Sequence, residues 1–255
     1  MPSKKLKSNS NLSPLFIKIG NSEFSYWSRD GLTGSFSKVS KWPSKFSRAM
    51  RTADALIVAS VVPALTKKLQ NSKKSRRMIE LKTSGLRFDG FAYTKTLGID
   101  RALNILAGSR VLGESNFIVI DFGTATTVDF VVKDKHLGGW ILPGHQLALN
   151  ALHQSTGLLP KLKWKKTTDK WGQDTVSSLL VGSNQNSLAL IERSKVIMES
   201  CVKRSSSKHA NFVVILTGGF SKLLNVPGAL CYPQLYRMAM EAVWMEDKNA
   251  SPKFH

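Results

Sequence analysis

The chain has 255 residues, 42% hydrophobic and 9% aromatic; that is enough for a packed core in one large domain or two smaller ones sharing a cleft, and it excludes global disorder. Its formal net charge is +20, a field that attracts nucleic acid, anionic membrane or small anionic substrates. The longest apolar run, ALIVASVVPAL (55–65), is too short to span a bilayer and contains Pro63, and Cys201 and Cys231 provide no disulfide framework.

Residues 1–14 are rich in Lys, Ser and Asn and read as a loose basic tail. The start is basic like a signal peptide, but Lys18 breaks its apolar part and no cleavage site follows, so a cytoplasmic protein is expected. LFIKIG (15–20) and SEFSYW (22–27) are two strands split by Gly20-Asn21, a hairpin signal. ALIVASVV (55–62) reads as a strand buried on both faces, Pro63 opens a helix through Leu69, and RMIEL (77–81) is a further strand. LGIDRALNILAG (97–108) has helical spacing from near Asp100 to a stop at Gly108. NFIVIDFG (116–123), TATTVDFVV (124–132) and HLGGWILPG (136–144) form a β-meander, and HQLALNALHQS (145–155) is an amphipathic helix. A basic loop spans 159–175, a long helix 186–204, a strand and turn NFVVILTGG (211–219), and a closing helix 233–245. Strand plus glycine turn recurs at IGNS, DFGT and LTGG, so the chain reads as a pseudo-duplicated α/β protein with a cleft between its halves.

The basic excess is clustered: Lys4, Lys5 and Lys7; Lys67, Lys68, Lys73, Lys74, Arg76 and Arg77; Lys161, Lys163, Lys165, Lys166 and Lys170. These clusters read as solvated loops and helix faces. They lack the aromatic interleaving of a single-strand groove and match no helix-turn-helix or zinc-finger pattern, so no nucleic acid is expected. His136, His145, His153, His209 and His255 show no metal-ligand spacing and read as surface or satisfied core residues; Trp140, Trp164 and Trp171 could line a pocket, core packing being the commoner use.

The stretch VIDFGTATTVDFV (119–131) sets two carboxylates and three hydroxyls between segments that favour burial. A glycine between strands lets the chain turn sharply and presents backbone N–H groups, and threonine hydroxyls beside it can donate to phosphate oxygens. A carboxylate repels phosphate but can hold a cation that bridges to it. Acid, glycine turn and hydroxyl therefore suit a metal–nucleotide, although a plain hairpin whose Asp and Thr satisfy turn amides would read the same way. In GIDR (98–101), Asp100 is either a helix N-cap or an acceptor for a substrate hydroxyl proton, and Arg101 could pair with a substrate carboxylate. The glycines of LTGG (216–219) would let a flat ligand such as adenine lie against backbone, or simply make a strand-to-helix turn.

The order of these motifs resembles the type III pantothenate kinases of the actin-like and sugar-kinase ATPase superfamily. The resemblance runs from about Leu15 through ASVVP (59–63), LGIDR (97–101), DFGTATTVD (121–129), GGWILPG (138–144), LP (159–160), GQDTVSSLLVG (172–182) and LTGG (216–219). It implies an α/β, duplicated ribonuclease-H-like (actin-like ATPase) fold: two mixed-sheet halves with helices and a central cleft, divided here as 15–112 and 113–255. The implied reaction is ATP-dependent phosphorylation of the 4′-hydroxyl of pantothenate, the first step of coenzyme A synthesis, by a cytoplasmic homodimer without membrane association. By the same resemblance Asp100 is the proton acceptor, and Gly98, Ile99, Asp100 and Arg101 form the pantothenate-binding turn. Asp121 binds a monovalent cation, potassium or ammonium. Thr124 and Gly218 contact ATP, and Thr175 touches pantothenate from an element reading Gly172-Gln173-Asp174-Thr175, with Asp174 where the family tends to have Asn. Tyr93 is taken as the aromatic residue that precedes the GxDR turn, with Phe91 the other candidate. The first phosphate motif of the family, DxGNT, reads Lys18-Ile19-Gly20-Asn21-Ser22 here. Gly20, Asn21 and Ser22 keep a phosphate cradle, whereas Lys18 replaces a carboxylate expected to manage Mg²⁺ and can meet phosphate only as a point charge. That exchange raises the alternative of a nucleotide- or pantothenate-binding protein that keeps the fold without turnover.

Overall fold

The structure, a computed structural model, describes residues 13–37, 41–72, 77–113, 115–205 and 211–249. The expected basic tail up to residue 12, together with Lys73, Lys74, Arg76, His209 and His255, lies outside them. The chain divides into two compact units, one of Met1–Arg87, Lys95–Leu103 and Tyr236–His255, the other of Phe88–Thr94 and Asn104–Leu235.

In the first unit the chain runs β1 (Pro14–Ile19), β2 (Glu23–Ser28), β3 (Thr33–Ser37), α1 (Ser44–Thr52), β4 (Ala55–Ser60), α2 (Pro63–Gln70) and β5 (Met78–Glu80). α3 (Ile99–Leu112) gives its first turn to this unit and the rest to the second. Then follow β6 (Phe117–Phe122), β7 (Ala125–Val132), β8 (Lys135–Pro143), α4 (His145–Ser155), α5 (Thr175–Ser205), β9 (Val213–Thr217), β10 (Leu230–Cys231) and α6 (Leu235–Asn249). One sheet is ordered β3-β2-β1-β4-β5 and the other β10-β9-β6-β7-β8. Each is an antiparallel meander whose first strand also pairs in parallel with a later one, β1 with β4 and β6 with β9. The duplication expected from the repeated glycine turns is therefore present.

Period-two alternation sorts the two faces of β1. Leu15, Ile17 and Ile19 enter a core with Phe24, Tyr26, Phe46 and Met50. Phe16, on the opposite face, stacks on Trp27 at 5.3 Å, and Trp27 meets the edge of Tyr236 on α6 at 5.7 Å. β6 repeats the arrangement. Ile118, Ile120 and Phe122 pack with Ile191, Met198 and Val202 of α5, while Phe117, on the other face, meets α3 at Gly108.

The sequence reading misplaces helix ends in α3 and α5, and closes α6 at 245 where it runs to Asn249. α3 does not stop at Gly108 but continues to Leu112. A Cβ at Gly108 would lie 2.6 Å from the Phe117 ring, so the glycine serves close helix–strand approach. α5 begins at Thr175, not 186. Its early buried positions include Asn184 and Ser187, and these polar residues hide the apolar period. Asn184 donates to the Leu180 carbonyl at 2.8 Å, and Ser187 Oγ lies 3.2 Å from His145 Nε2. β3, α1 and β10 had no counterpart in the sequence reading. β3 is half-exposed along its length and β10 has only two residues. No described helix is long and apolar enough to cross a membrane.

Candidate active site

The first turn of α3 carries GIDR. The Gly98 carbonyl accepts the Ala102 N–H at 3.0 Å, which makes Gly98 the capping residue and puts Asp100 inside the turn. The Asp100 carboxylate folds back so that Oδ1 accepts the Arg101 N–H at 2.9 Å. Its negative charge at a helix N-terminus is favourable. A Cβ on Gly98 would fall 2.6 Å from that same oxygen, so the glycine leaves room for the carboxylate. Arg101 is buried. The approach to the turn is pinned where buried Thr83 Oγ1 donates to the Leu97 carbonyl at 2.9 Å.

In the second unit, β6 delivers Asp121 and the tight Gly123-Thr124 turn. Asp121 Oδ2 accepts a hydrogen bond from Asn104 Nδ2 of α3 at 2.9 Å. Gly218, after β9, has φ +88°, and a Cβ there would lie 2.3 Å from Asp121 Oδ1. The LTGG turn is tied to β6 by the Phe220 N–H, which donates to the Phe122 carbonyl at 3.2 Å. Gly144, which ends GGWILPG, donates its N–H to the Thr124 carbonyl at 3.0 Å. A Cβ on Gly144 would meet the Gly123 oxygen at 2.3 Å. The unit thus brings together Asp121, Thr124 and Gly218, three of the residues picked from sequence. It adds Asn104 and Gly144, which sequence reasoning missed. The final glycine of GGWILPG was the available signal for Gly144; a lone Asn in a helix buried all round from 101 to 108 gave none for Asn104.

The first unit holds Lys18, Gly20, Asn21 and Ser22 in one hairpin, closed by the Gly20 N–H donating to the Glu23 carbonyl at 2.9 Å. Lys18, on the same face of β1 as Phe16, sets its Nζ 4.0 Å from the centroid of the Tyr236 ring. An ammonium over an aromatic face is attracted by the ring quadrupole, which holds the lysine at the strand tip. Tyr236 is a third residue that the sequence reading missed.

Thr175 is the first residue of α5 and is exposed. Asp174, beside it, is an N-cap: its Oδ1 accepts the Ser177 N–H at 2.9 Å and its Oδ2 accepts Ser177 Oγ at 2.8 Å. These bonds hold the Asp174 carboxyl below its ordinary range. Gly172 is pressed onto the same helix start, its Cβ position 2.2 Å from Ser178 N. Tyr93 is 36% exposed and its ring centroid lies 5.9 Å from that of His136; Phe91 packs on Phe88 at 4.6 Å. His136 is buried, with Nε2 2.9 Å from Asp129 Oδ1. His145 is buried between Ser183 and Ser187 and stacks on Trp164 at 4.4 Å. Burial pushes its imidazole below the ordinary value, against a hydrogen bond at Ser183 that opposes the shift. The lysines of the 159–175 loop are exposed, as a solvated face requires.

Sheets of one order built twice, with glycine turns at the tips of their first strands, define the duplicated ribonuclease-H-like fold of actin-like ATPases and sugar kinases. Solved structures share it, two of which are similar over nearly the whole chain. One, assigned to the Baf family of transcriptional activators from Campylobacter jejuni, is similar at TM-score 0.64 and 21% identity over 92% of this chain and 99% of that one. The other, assigned as a 2-dehydro-3-deoxygalactonokinase from Sinorhizobium meliloti, is similar at TM-score 0.52 and 11% identity over 93% and 99%. A type III pantothenate kinase of Petrotoga mobilis is 32% identical over 214 residues, 82% of this chain and 79% of that protein. The type III pantothenate kinase family model matches residues 15–196, and the chain belongs to that family.

Proposed function

We propose that this chain transfers the γ-phosphoryl group of ATP to the 4′-hydroxyl of pantothenate, the entry step of coenzyme A synthesis. The observation that carries this reading is the family match across 15–196, which takes in the Lys18–Ser22 hairpin, the GIDR turn and the Asp121 corner. The comparisons lend no support to the alternative of a fold kept without turnover.

Asp100 takes the hydroxyl proton, and Arg101, in the same turn with Gly98 and Ile99, orients the carboxylate end of pantothenate. Tyr93 and Thr175 complete the substrate contacts. Gly20, Asn21, Ser22, Thr124 and Gly218 receive ATP through N–H and hydroxyl donors and close backbone approach. Lys18, steadied by Tyr236, meets the phosphates as a fixed positive charge. Asp121 fits a monovalent cation, potassium or ammonium: one carboxylate, a neighbouring carboxamide and a glycine cradle that a Cβ would fill. When bound, that ion supplies charge compensation beside the phosphates. Mg²⁺ would arrive with ATP and be held by the phosphates and water, because Lys18 stands where the family has a carboxylate for it. The working form is a cytoplasmic homodimer without nucleic-acid or membrane partners; exposed Leu137 and Ile141 of β8 and Leu147 of α4 support self-association. The two compact units, in place of the expected halves 15–112 and 113–255, act as the two lobes of the kinase.

The test is ADP release by the purified protein given ATP, Mg²⁺, K⁺ and pantothenate, with formation of 4′-phosphopantothenate followed by mass spectrometry. Asp100→Asn should lower kcat about 10²- to 10⁴-fold with a small change in KM. Full turnover in that variant, or no pantothenate-dependent ADP in the natural chain, refutes the assignment.

A further inference from the structure

Asn104 is 1% exposed, and its carboxamide is only half used. Nδ2 donates to Asp121 Oδ2 at 2.9 Å, while Oδ1 is buried with no hydrogen-bond partner. Reversing the amide does not remove the anomaly, because it would set the carbonyl oxygen against the carboxylate. Buried acceptors without partners are rare, and one that is kept signals a missing donor or ion. Asp121 itself is only partly buried, so the corner is open to a small ion from its side.

We propose that Asn104 is a ligand of the cation held at Asp121. Its nitrogen fixes the carboxylate and its oxygen supplies a neutral donor to the ion. The inference rests on the proposed role of Asp121. The donor chemistry points to a monovalent ion: potassium is well served by carbonyl-type oxygens with little net charge. A divalent ion bound by protein alone draws on several carboxylates, and no group of three or more His, Cys, Asp or Glu side chains that could hold a metal occurs among the described residues. Any Cβ at residue 218 would intrude on Asp121 Oδ1, so Gly218 keeps the space beside that oxygen clear.

The experiment is a KCl titration of thermal unfolding on the full chain without substrates, at constant ionic strength set with choline chloride, together with thallium(I) NMR as a direct binding readout. Natural chain, Asp121→Asn, Asn104→Ala and Asn104→Leu are compared, with folding checked by circular dichroism. The half-saturating K⁺ concentration should rise about 10- to 100-fold in both Asn104 variants, and the response should vanish in Asp121→Asn. A second measurement needs no variant: K⁺, but not choline, should shift the Asn104 side-chain carbonyl resonance of the natural chain. Folded Asn104 variants that titrate like the natural chain, or an Asn104 resonance unmoved by K⁺, overturn this inference while leaving Asp121 in place. A natural chain that binds neither K⁺ nor thallium(I) overturns the Asp121 assignment as well.

Discussion

Gly218 is the position where one methyl group should do most harm. Its backbone has φ +88°, and a Cβ would lie 2.3 Å from Asp121 Oδ1 and 2.6 Å from the Phe122 carbonyl oxygen. A side chain in left-handed backbone costs about 1–2 kcal/mol, and overpacking against backbone that cannot yield costs about 1–3 kcal/mol more. Gly218→Ala should therefore lose about 2–5 kcal/mol, which lowers Tm by about 4–20 °C in a chain of this size. Gly219 is the internal control: it is exposed, a Cβ there meets nothing within 4 Å, and Gly219→Ala should stay within about 0.5 kcal/mol of the natural protein. Differential scanning calorimetry on both variants settles the comparison. Equal Tm values for the two would refute the reading of this corner, because they would mean that β9 and β6 are not in the contact described.

Gly98→Ala presses on the movable end of the Asp100 side chain and not on backbone, so stability should hardly change while kcat falls about 100-fold, read from Tm and initial rates. Lys18→Ala should weaken ATP binding about tenfold or more by isothermal titration, with a weaker salt dependence than the natural chain, since one charged contact to phosphate is lost. His145 is held below its ordinary pKa by burial, so the folded chain favours the neutral imidazole. Its stabilising contribution is complete above the unfolded value near 6.5 and is lost as pH falls through the lower folded value. Urea unfolding between pH 7.5 and 5 should show His145→Gln losing stability less steeply than the natural chain, by up to about 1.4 kcal/mol per pH unit.

The sheets were legible because their strands obey simple rules. The Gly20-Asn21 turn marked the first hairpin, and the continuous apolar run 55–62 marked the inner strand β4, flanked by β1 and β5. Motif order also placed Asp121, Thr124 and Gly218, and the structure gathers these three in one unit. What stayed hidden depends on partners far along the chain. Asn104 gains meaning only from Asp121, and Tyr236 only from Lys18. The β7–β8 turn, expected between residues 132 and 136, was legible from the strands alone; Lys133 and Asp134 both have positive φ there, 48° and 56°, where sequence rules favour Asn-Gly. Lys133 is exposed and Asp134 half-buried, its Oδ1 accepting from Ser109 Oγ at 3.2 Å.

The duplicated sheets end their leading strands in matching places with opposite signs, an ammonium at Lys18 and a carboxylate at Asp121. Each has a lid of the right polarity: the electron-rich face of Tyr236 for the first, the carboxamide N–H of Asn104 for the second. Polarity at each tip is thus encoded twice, by a strand residue and by a helix residue remote in sequence. Converting Lys18 to aspartate would leave an anion facing a π cloud that repels it. A change of sign at that tip should accordingly succeed only as a pair, with Tyr236 exchanged for an amide-bearing side chain in the same step.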